Sequence, residues 1–342
     1  MKTLLTTCVC VLMSLAMQVC EAQDLHFTNY KFAPLMMNPA NTGAFYGTFR
    51  INGIYRDQFD SFIKEGYSTT LINVDGTMRL GFAEHHWVGW GVDINSDKAG
   101  DLGFKNTMGR VSAAYHAALD ANYKNVITLG VQYGTVQRRI NQIENALFGD
   151  YLQEFNSGNN TFTSPDMQMF ENYKETYTDL NIGLLYKGVL SERMGLEAGA
   201  AVFHLLGSEQ DRSQMNRQFI RINGHASIRY LASENFIIEP AIYTSFSQGF
   251  NDISIQLNGE YLLKNLETSI LLFGIGHRVG DALQVMAGMQ YKKVRLGLAY
   301  DFTISSASAY NSGNGGFEIG LQYIINVTKR PDPEPVFFCP RF

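Results

Sequence analysis

The chain has little cysteine, and what it has lies near its ends. Of four cysteines, Cys8, Cys10 and Cys20 fall within the first 22 residues and only Cys339 lies beyond them. Once those first residues are removed, no internal disulfide and no multi-cysteine metal site can form. Long apolar runs are missing too: past the amino-terminal segment, no stretch reaches the roughly 18 continuous apolar residues of a membrane helix. Basic charge is not in excess, with 27 Lys and Arg against 32 Asp and Glu. The electrostatic footprint of a nucleic-acid binder is therefore absent, and no nucleic-acid partner is expected.

Catalytic and ligand-binding patterns are equally thin. There is no phosphate loop or nucleophile elbow, and Asn311-Ser312-Gly313-Asn314-Gly315-Gly316 reads as a flexible turn, not a cofactor cradle. Glu84-His85-His86 and the single histidines His26, His116, His204, His225 and His277 lack metal-ligand spacing. Asp57 with Asp60, and Glu209 with Asp211, are acidic pairs near strand ends or loops, with neither a supporting nucleophile nor calcium spacing. No catalytic, cofactor or metal site is assigned, and no enzyme activity is expected.

What is present begins with export. Lys2, an apolar run over 4–19 and the small Ala22 read as a secretory signal cleaved before Gln23. Val19 stands where a lipoprotein signal would carry a small residue, which argues against lipidation of Cys20.

The mature chain is dominated by alternation. Over 294–327, Val294, Leu296, Leu298, Tyr300, Phe302 and Ile304 alternate with Arg295, Gly297, Ala299 and Asp301. Phe317, Ile319, Leu321, Tyr323, Ile325 and Val327 then alternate with Glu318, Gly320, Gln322 and Asn326. Soluble sandwich strands are usually about five or six residues long. A strand crossing a bilayer needs roughly 9–11, with apolar side chains toward lipid and small or polar ones inward. The same period sets Phe49, Ile51, Gly53 and Tyr55 against Arg50, Asn52, Ile54 and Arg56, and Val111, Ala113, Tyr115 and Ala117 against Arg110, Ser112, Ala114 and His116. An inward arginine costs little in a wet or paired lumen, whereas on the lipid face near the midplane it costs about 2–4 kcal/mol.

The pattern predicts an all-β fold, an outer-membrane β-barrel of about 14 antiparallel strands. They fall at 48–58, 67–80, 87–94, 104–119, 126–136, 179–187, 194–205, 219–231, 235–246, 252–262, 268–278, 283–292, 294–304 and 316–327. An even count suits a bacterial single-chain barrel. The longer predicted connections, 95–103, 137–178, 207–218 and 305–315, are all odd-numbered, and the even-numbered ones are short. That asymmetry puts the long ones outside and both termini in the periplasm. Within 137–178, the stretch 138–155 places Ile140, Ile143, Leu147 and Tyr151 on one face of a short helix, an ordered lid or a loop folded over the rim. Trp87, Trp90, Tyr67, Tyr115, Tyr133, Tyr186, Tyr230, Tyr261 and Tyr323 suit interfacial girdles, some of them lumen packing instead. The expected division is a signal peptide (1–22), a leader in the periplasm or the barrel mouth (23–43), the barrel (44–327) and a periplasmic tail (328–342). Pro34 and Pro39 keep the leader from being a continuous helix or central strand. The tail carries Pro331, Pro333, Pro335 and Pro340 with Phe337, Phe338 and Phe342, which need cover from the barrel base or a partner.

The two ends carry a resemblance. Asp24-Leu25-His26-Phe27-Thr28-Asn29-Tyr30, Pro34, Asn38-Pro39-Ala40-Asn41-Thr42-Gly43 and Tyr55-Arg56-Asp57-Gln58-Phe59, with Tyr300-Asp301, the strand over 316–323 and Cys339-Pro340-Arg341-Phe342, resemble the PorP/SprF family of type IX secretion membrane proteins. This chain departs from the family pattern at Leu25 (usually Pro), Thr28-Asn29 (Ser-Gln) and Phe59 (Trp). The resemblance implies a non-enzymatic outer-membrane barrel, set in outer-membrane lipid, that works with periplasmic secretion or motor components or with a large secreted adhesin. Carried over by position, the motif residues are Phe27, Tyr30, Pro34, Asn38, Pro39, Gly43, Tyr55, Arg56, Gln58, Asp301, Glu318, Cys339, Pro340, Arg341 and Phe342. Arg56, Asp301 and Glu318 are candidates for a charge network that clamps the leader inside the lumen, against the plainer reading of lumen-facing polarity. Asn38 and Pro39 are expected to shape a tight turn. The competing function is a passive pore or small-solute transporter, motivated by the wet-looking inward faces.

Overall fold

The computed structural model describes residues 26–58, 66–79, 85–100, 103–140, 174–206, 219–248, 250–263, 269–306 and 308–326. They form fourteen strands: β1 (Phe49–Gln58), β2 (Tyr67–Arg79), β3 (His86–Ala99), β4 (Phe104–Ala118), β5 (Asn125–Ile140), β6 (Lys174–Ser191), β7 (Met194–Phe203), β8 (Arg221–Ser233), β9 (Phe236–Ser247), β10 (Phe250–Leu263), β11 (Ser269–Arg278), β12 (Ala282–Tyr291), β13 (Val294–Thr303) and β14 (Asn314–Ile325). Each pairs antiparallel with its chain neighbours, and β1 pairs with β14 from Phe49↔Ile325 to Gln58↔Gly316. The sheet therefore closes and leaves no open edge.

Alternation decides which face is which. On β13, Val294, Leu296, Leu298 and Phe302 are exposed, while Gly297, Ala299, Asp301 and Thr303 are buried inside. The same split gives Ile275 at 61% exposure on the outside and Arg56 at 2% within. A water-soluble sandwich would reverse these, because apolar side chains leave water most readily. A belt of exposed Ile, Leu, Val, Phe and Tyr around a closed cylinder is a lipid-facing surface, and the protein is an outer-membrane β-barrel. No helix among the described residues is long and apolar enough to cross a membrane.

Two expectations change in extent. The predicted loop at 95–103 is mostly strand: Asn95 to Ala99 continue β3 and pair with Met108 to Phe104. Likewise β5 runs through Arg138 and Arg139 to Ile140, paired with β6 from Lys174. These stretches are polar because the strands rise past the apolar band on the loop side, and backbone pairing needs no apolar side chain. Residues 138–140 of the suggested short helix are therefore strand, and 141–155 lie outside the described residues. Of the two places expected for these aromatics, Trp87 takes the lumen and not the girdle: it points inward, stacked on His116 with ring centroids 4.6 Å apart.

The leader lies inside the cylinder. Its 3-10 turn Tyr30–Phe32, one helical turn Pro34–Met37 and second 3-10 turn Pro39–Asn41 bury Phe32, Leu35, Met36, Met37 and Ala40. Phe27, Phe32, Ala33 and Met36 form one apolar cluster with the inward Ile54 of β1 and Leu71 of β2. Pro34 and Pro39 open the second and third turns, where a missing N–H costs nothing.

Candidate functional site

The first anchor of the leader is ionic. Arg56 of β1 faces Asp301 of β13 at 2.9 Å and also bonds Glu318 of β14, its neighbour across the closing seam. Arg278 of β11 reaches the same Asp301 oxygen at 3.0 Å. Into this cluster drops Thr28. Its hydroxyl donates to Asp301 (2.6 Å) and accepts from Arg278 (3.0 Å) and Gln284 (3.1 Å), and its backbone N–H donates to Glu318 (2.7 Å). The Asn29 N–H takes the second Glu318 oxygen at 2.8 Å, and Gln256 donates to the Thr28 carbonyl at 2.9 Å. Arg278 is the last residue of β11, so this cluster sits in the loop-side half of the lumen. The leader's first described residues are therefore there and not at the periplasmic mouth where β1 begins. The ion network fixes them, because a buried charge must be paired and hydrogen-bonded.

The second anchor is a matter of shape. Phe32 lies in the notch left by Gly297 and Gly320, where a Cβ on Gly320 would come within 2.6 Å of its ring. Asn38 lies between Gly183 and Gly199, Ala40 lies against Gly130, and Thr42 covers Gly89 so closely that any side chain there would overlap its carbonyl. Glycine inside a strand marks close approach of another backbone. Asn38 donates to Leu184 O at 3.0 Å and accepts from the Ala40 N–H at 2.8 Å, so it both shapes the turn and binds the wall. Around Gly43, its N–H donates to Asp75 (2.8 Å), Trp87 Nε1 donates to its carbonyl (3.2 Å), and His116 Nε2 lies 2.8 Å from Thr42 O. Asp75 is in turn held by Arg50 at 2.8 Å. Lys31 pairs with Glu239 of β9 at 2.8 Å, Tyr30 stacks on Tyr243, and Asn223 of β8 donates to Met37 O at 3.3 Å. Every one of the fourteen strands touches the leader.

The motif residues thus divide. Phe27, Arg56, Asp301 and Glu318 meet at the ionic anchor, with Gln58 accepting from Arg56 Nε at 3.4 Å. Tyr30, Pro34, Asn38, Pro39 and Gly43 lie along the leader inside the wall. Tyr55 does not join them: it faces outward, its hydroxyl on Asp57 at 3.1 Å. Cys339, Pro340, Arg341 and Phe342 lie outside the described residues. Sequence reasoning missed Arg278, Gln256 and Gln284, whose only signal was inward polarity, Thr28, which lies on no strand and carried no such signal, and the paired roles of Arg50 and Asp75.

Below the leader, a cavity of about 210 Å³ opens at the mouth where β1 starts and β14 ends. It is lined by Lys31, Lys187, Arg229 and Arg295, by Glu197, Glu239 and Glu260, and by Tyr30, Phe45 and His225. Lys187 pairs with Glu197 at 2.8 Å, and Glu260 is shared by Arg229 and Arg295. Short turns mark this as the periplasmic side. Among the described residues no three His, Cys, Asp or Glu are grouped to hold a metal. At the β4–β5 turn, slight burial works to raise the Asp120 carboxyl. Hydrogen bonds from the Lys124 N–H, the Asn125 side chain and N–H, and the Asn122 N–H outweigh it and hold the group below the usual range.

Among solved structures the barrel is similar to the toluene transporter TbuX of Ralstonia pickettii (TM-score 0.51, 9% identity, 86% of this chain and 94% of that one). It is also similar to the toluene transporter TodX of P. putida (TM-score 0.49, 11% identity, 87% and 94%). At such identities the likeness is one of fold alone. No curated protein sequence matches the chain. The family model described as "Type IX secretion system membrane protein PorP/SprF" matches residues 19–323, spanning the leader and almost the whole barrel, and the chain belongs to that family.

Proposed function

We propose that this protein is a non-enzymatic component of the type IX secretion or gliding machinery, linking a secreted surface protein or periplasmic secretion components to the outer membrane. The observation that carries the reading is the leader, which reaches all fourteen strands and is held by buried ions at one end and a glycine-notched wall at the other. A lumen used this way makes a rigid platform, since its polar interior is spent on holding its own chain. A passive pore needs a continuous wet path between those same polar groups. Family membership places the protein among secretion-associated membrane proteins. Within this reading, Cys339, Pro340, Arg341 and Phe342 dock a periplasmic partner, Arg341 pairing with a carboxylate and Phe342 filling an apolar notch.

The test is affinity purification of the full chain from native outer membrane, with bound proteins identified, beside a variant lacking residues 339–342. Co-recovery of periplasmic secretion components or a secreted adhesin, reduced by the deletion at equal barrel abundance, is expected. Unchanged recovery at equal abundance would sink the docking role. Steady planar-bilayer conductance by the intact chain would instead favour the pore.

A further inference from the structure

The wall of the barrel is uneven, and its tall side is β3 to β6. These four strands have 14, 15, 16 and 18 residues, whereas β1, β7, β11, β12 and β13 have 10 each. Their unbroken register sorts the outward face of that side into rows. Val92, Val111, Tyr133 and Leu180 stand side by side in the apolar belt. Two rows nearer the loops come Ser96, Thr107, Gln137 and Thr176, and in the row above them Lys98, Lys105, Arg139 and Lys174. These four cations share the face of the exposed Ile94, Val111, Tyr133 and Ile182, since each lies an even number of residues along its strand from one of them. At the loop-side ends of the other strands, the described outward positions hold no lysine or arginine; Asp57, Phe246, Leu283 and Phe302 stand there instead.

Like charges directly opposite each other across strands repel, so a row of them calls for anions between. Lys98 has a further interaction of its own, but the side chains of Lys105, Arg139 and Lys174 make no hydrogen bond or ion pair among the described residues. The acids next in register, Asp97 and Glu175, belong to the intervening row on the other face. Lys98 lies four residues beyond Ile94, about 13 Å along a strand and roughly 10 Å along the bilayer normal at a tilt of about 40°. That height is the headgroup layer above the hydrocarbon. It is the end away from the short periplasmic turns, and so the outer leaflet. We propose that this face binds a phosphate-bearing lipid of the outer leaflet. Its acyl chains lie on Val92, Val111 and Tyr133, its hydroxyls meet the row of Ser96 and Thr107, and its phosphates sit on Lys105, Arg139 and Lys174. A guanidinium takes phosphate through two parallel N–H bonds, and lysines add point charges beside it. A soluble polyanion matches the charge but leaves the apolar and hydroxyl rows beneath it unused, whereas a lipid matches all of them in order.

Native mass spectrometry of the full chain in a neutral detergent tests it. Three probes are titrated separately: diphosphoryl lipid A, the same lipid with its phosphates removed, and inorganic phosphate. Preparations are compared only where the heat-modifiable folded band is intact. Lipid A should bind the triple variant Lys105→Gln, Arg139→Gln, Lys174→Gln about tenfold more weakly than the unaltered chain, the loss of three solvent-facing charge pairs. The control Lys124→Gln, Lys292→Gln, Lys293→Gln removes the same charge from periplasmic turns and should bind lipid A as the unaltered chain does. The dephosphorylated lipid should not distinguish the unaltered chain from the triple variant. Equal binding of lipid A by the triple variant and the unaltered chain overturns the proposal. An equal loss in the control also overturns it, since net charge alone would then be at work. So does inorganic phosphate binding as tightly as lipid A, which makes the row a free-anion site. None of these outcomes depends on residues 339–342, so partner docking and lipid binding can fail separately.

Discussion

The two anchors of the leader hold it by different physics. Around Thr28 the wall supplies charges, Arg56, Arg278, Asp301 and Glu318, all with 5% or less of their side chains exposed. From Asn38 to Gly43 it supplies missing side chains, at Gly183, Gly130 and Gly89, and carbonyls to bond. A buried ion network adds little net stability when complete but is costly when one member is removed. A notch contributes through close packing, and it fails when filled. The first anchor is therefore brittle to deletion and the second to insertion.

The contrast is sharpest for Arg56→Ala, which leaves Glu318 without its cation and Asp301 with only Arg278. It should lower stability by about 3–5 kcal/mol, read from urea unfolding of the barrel refolded in lipid vesicles. In a Trp90→Phe background, which leaves one tryptophan, the native emission of Trp87 should stay unchanged, since that ring sits at the other anchor. Gly130→Val should cost about 1–3 kcal/mol by overpacking and should shift Trp87 emission, because Ala40 is pushed off the wall and Gly43 with it. If Arg56→Ala moved the tryptophan signal and Gly130→Val did not, the two-anchor description would be broken. Thr28→Val, which keeps the shape but removes the hydroxyl that bonds Asp301, Arg278 and Gln284 at the centre of the ionic anchor, should cost about 1–3 kcal/mol, the range for leaving buried polar groups unpaired. Both carboxylates keep their arginines in that variant.

The smallest effect lies outside both anchors. Asp120 has its carboxyl held low by four hydrogen bonds within an exposed turn. Its contribution is fully present above the unfolded carboxyl value near pH 4 and is lost as pH falls through the lower folded value. Asp120→Asn should remove this acid-side dependence and cost well under about 1 kcal/mol, as solvent screens the group. Unfolding midpoints measured at pH 7 and pH 3 report it.

Strand number, order and facing were readable in advance because a period of two is a local property of the chain, as with Arg50, Asn52, Ile54 and Arg56 on the inner face of β1. Strand ends were less readable. At Asn95 to Ala99 polarity no longer distinguishes a loop from a strand standing above the bilayer. Of the candidate site, Arg56, Asp301 and Glu318 could be named from inward charge, and their meeting follows from register: Arg56 lies opposite Glu318, and Ala299 opposite Glu318 puts Asp301 two residues along. Thr28 could not be named, since nothing in the leader repeats.

By itself, then, the sequence determined a lipid-facing cylinder and its two faces, because alternation with apolar side chains on one side has one low-energy solution in a bilayer. Only the tertiary structure decided that the leader crosses the lumen, that Trp87 turns inward and that a charged cavity remains beneath. Those outcomes depend on residues as far apart in sequence as Thr28 and Glu318, 290 positions, brought together only when β14 closes on β1. No local pattern encodes a contact that exists only after closure.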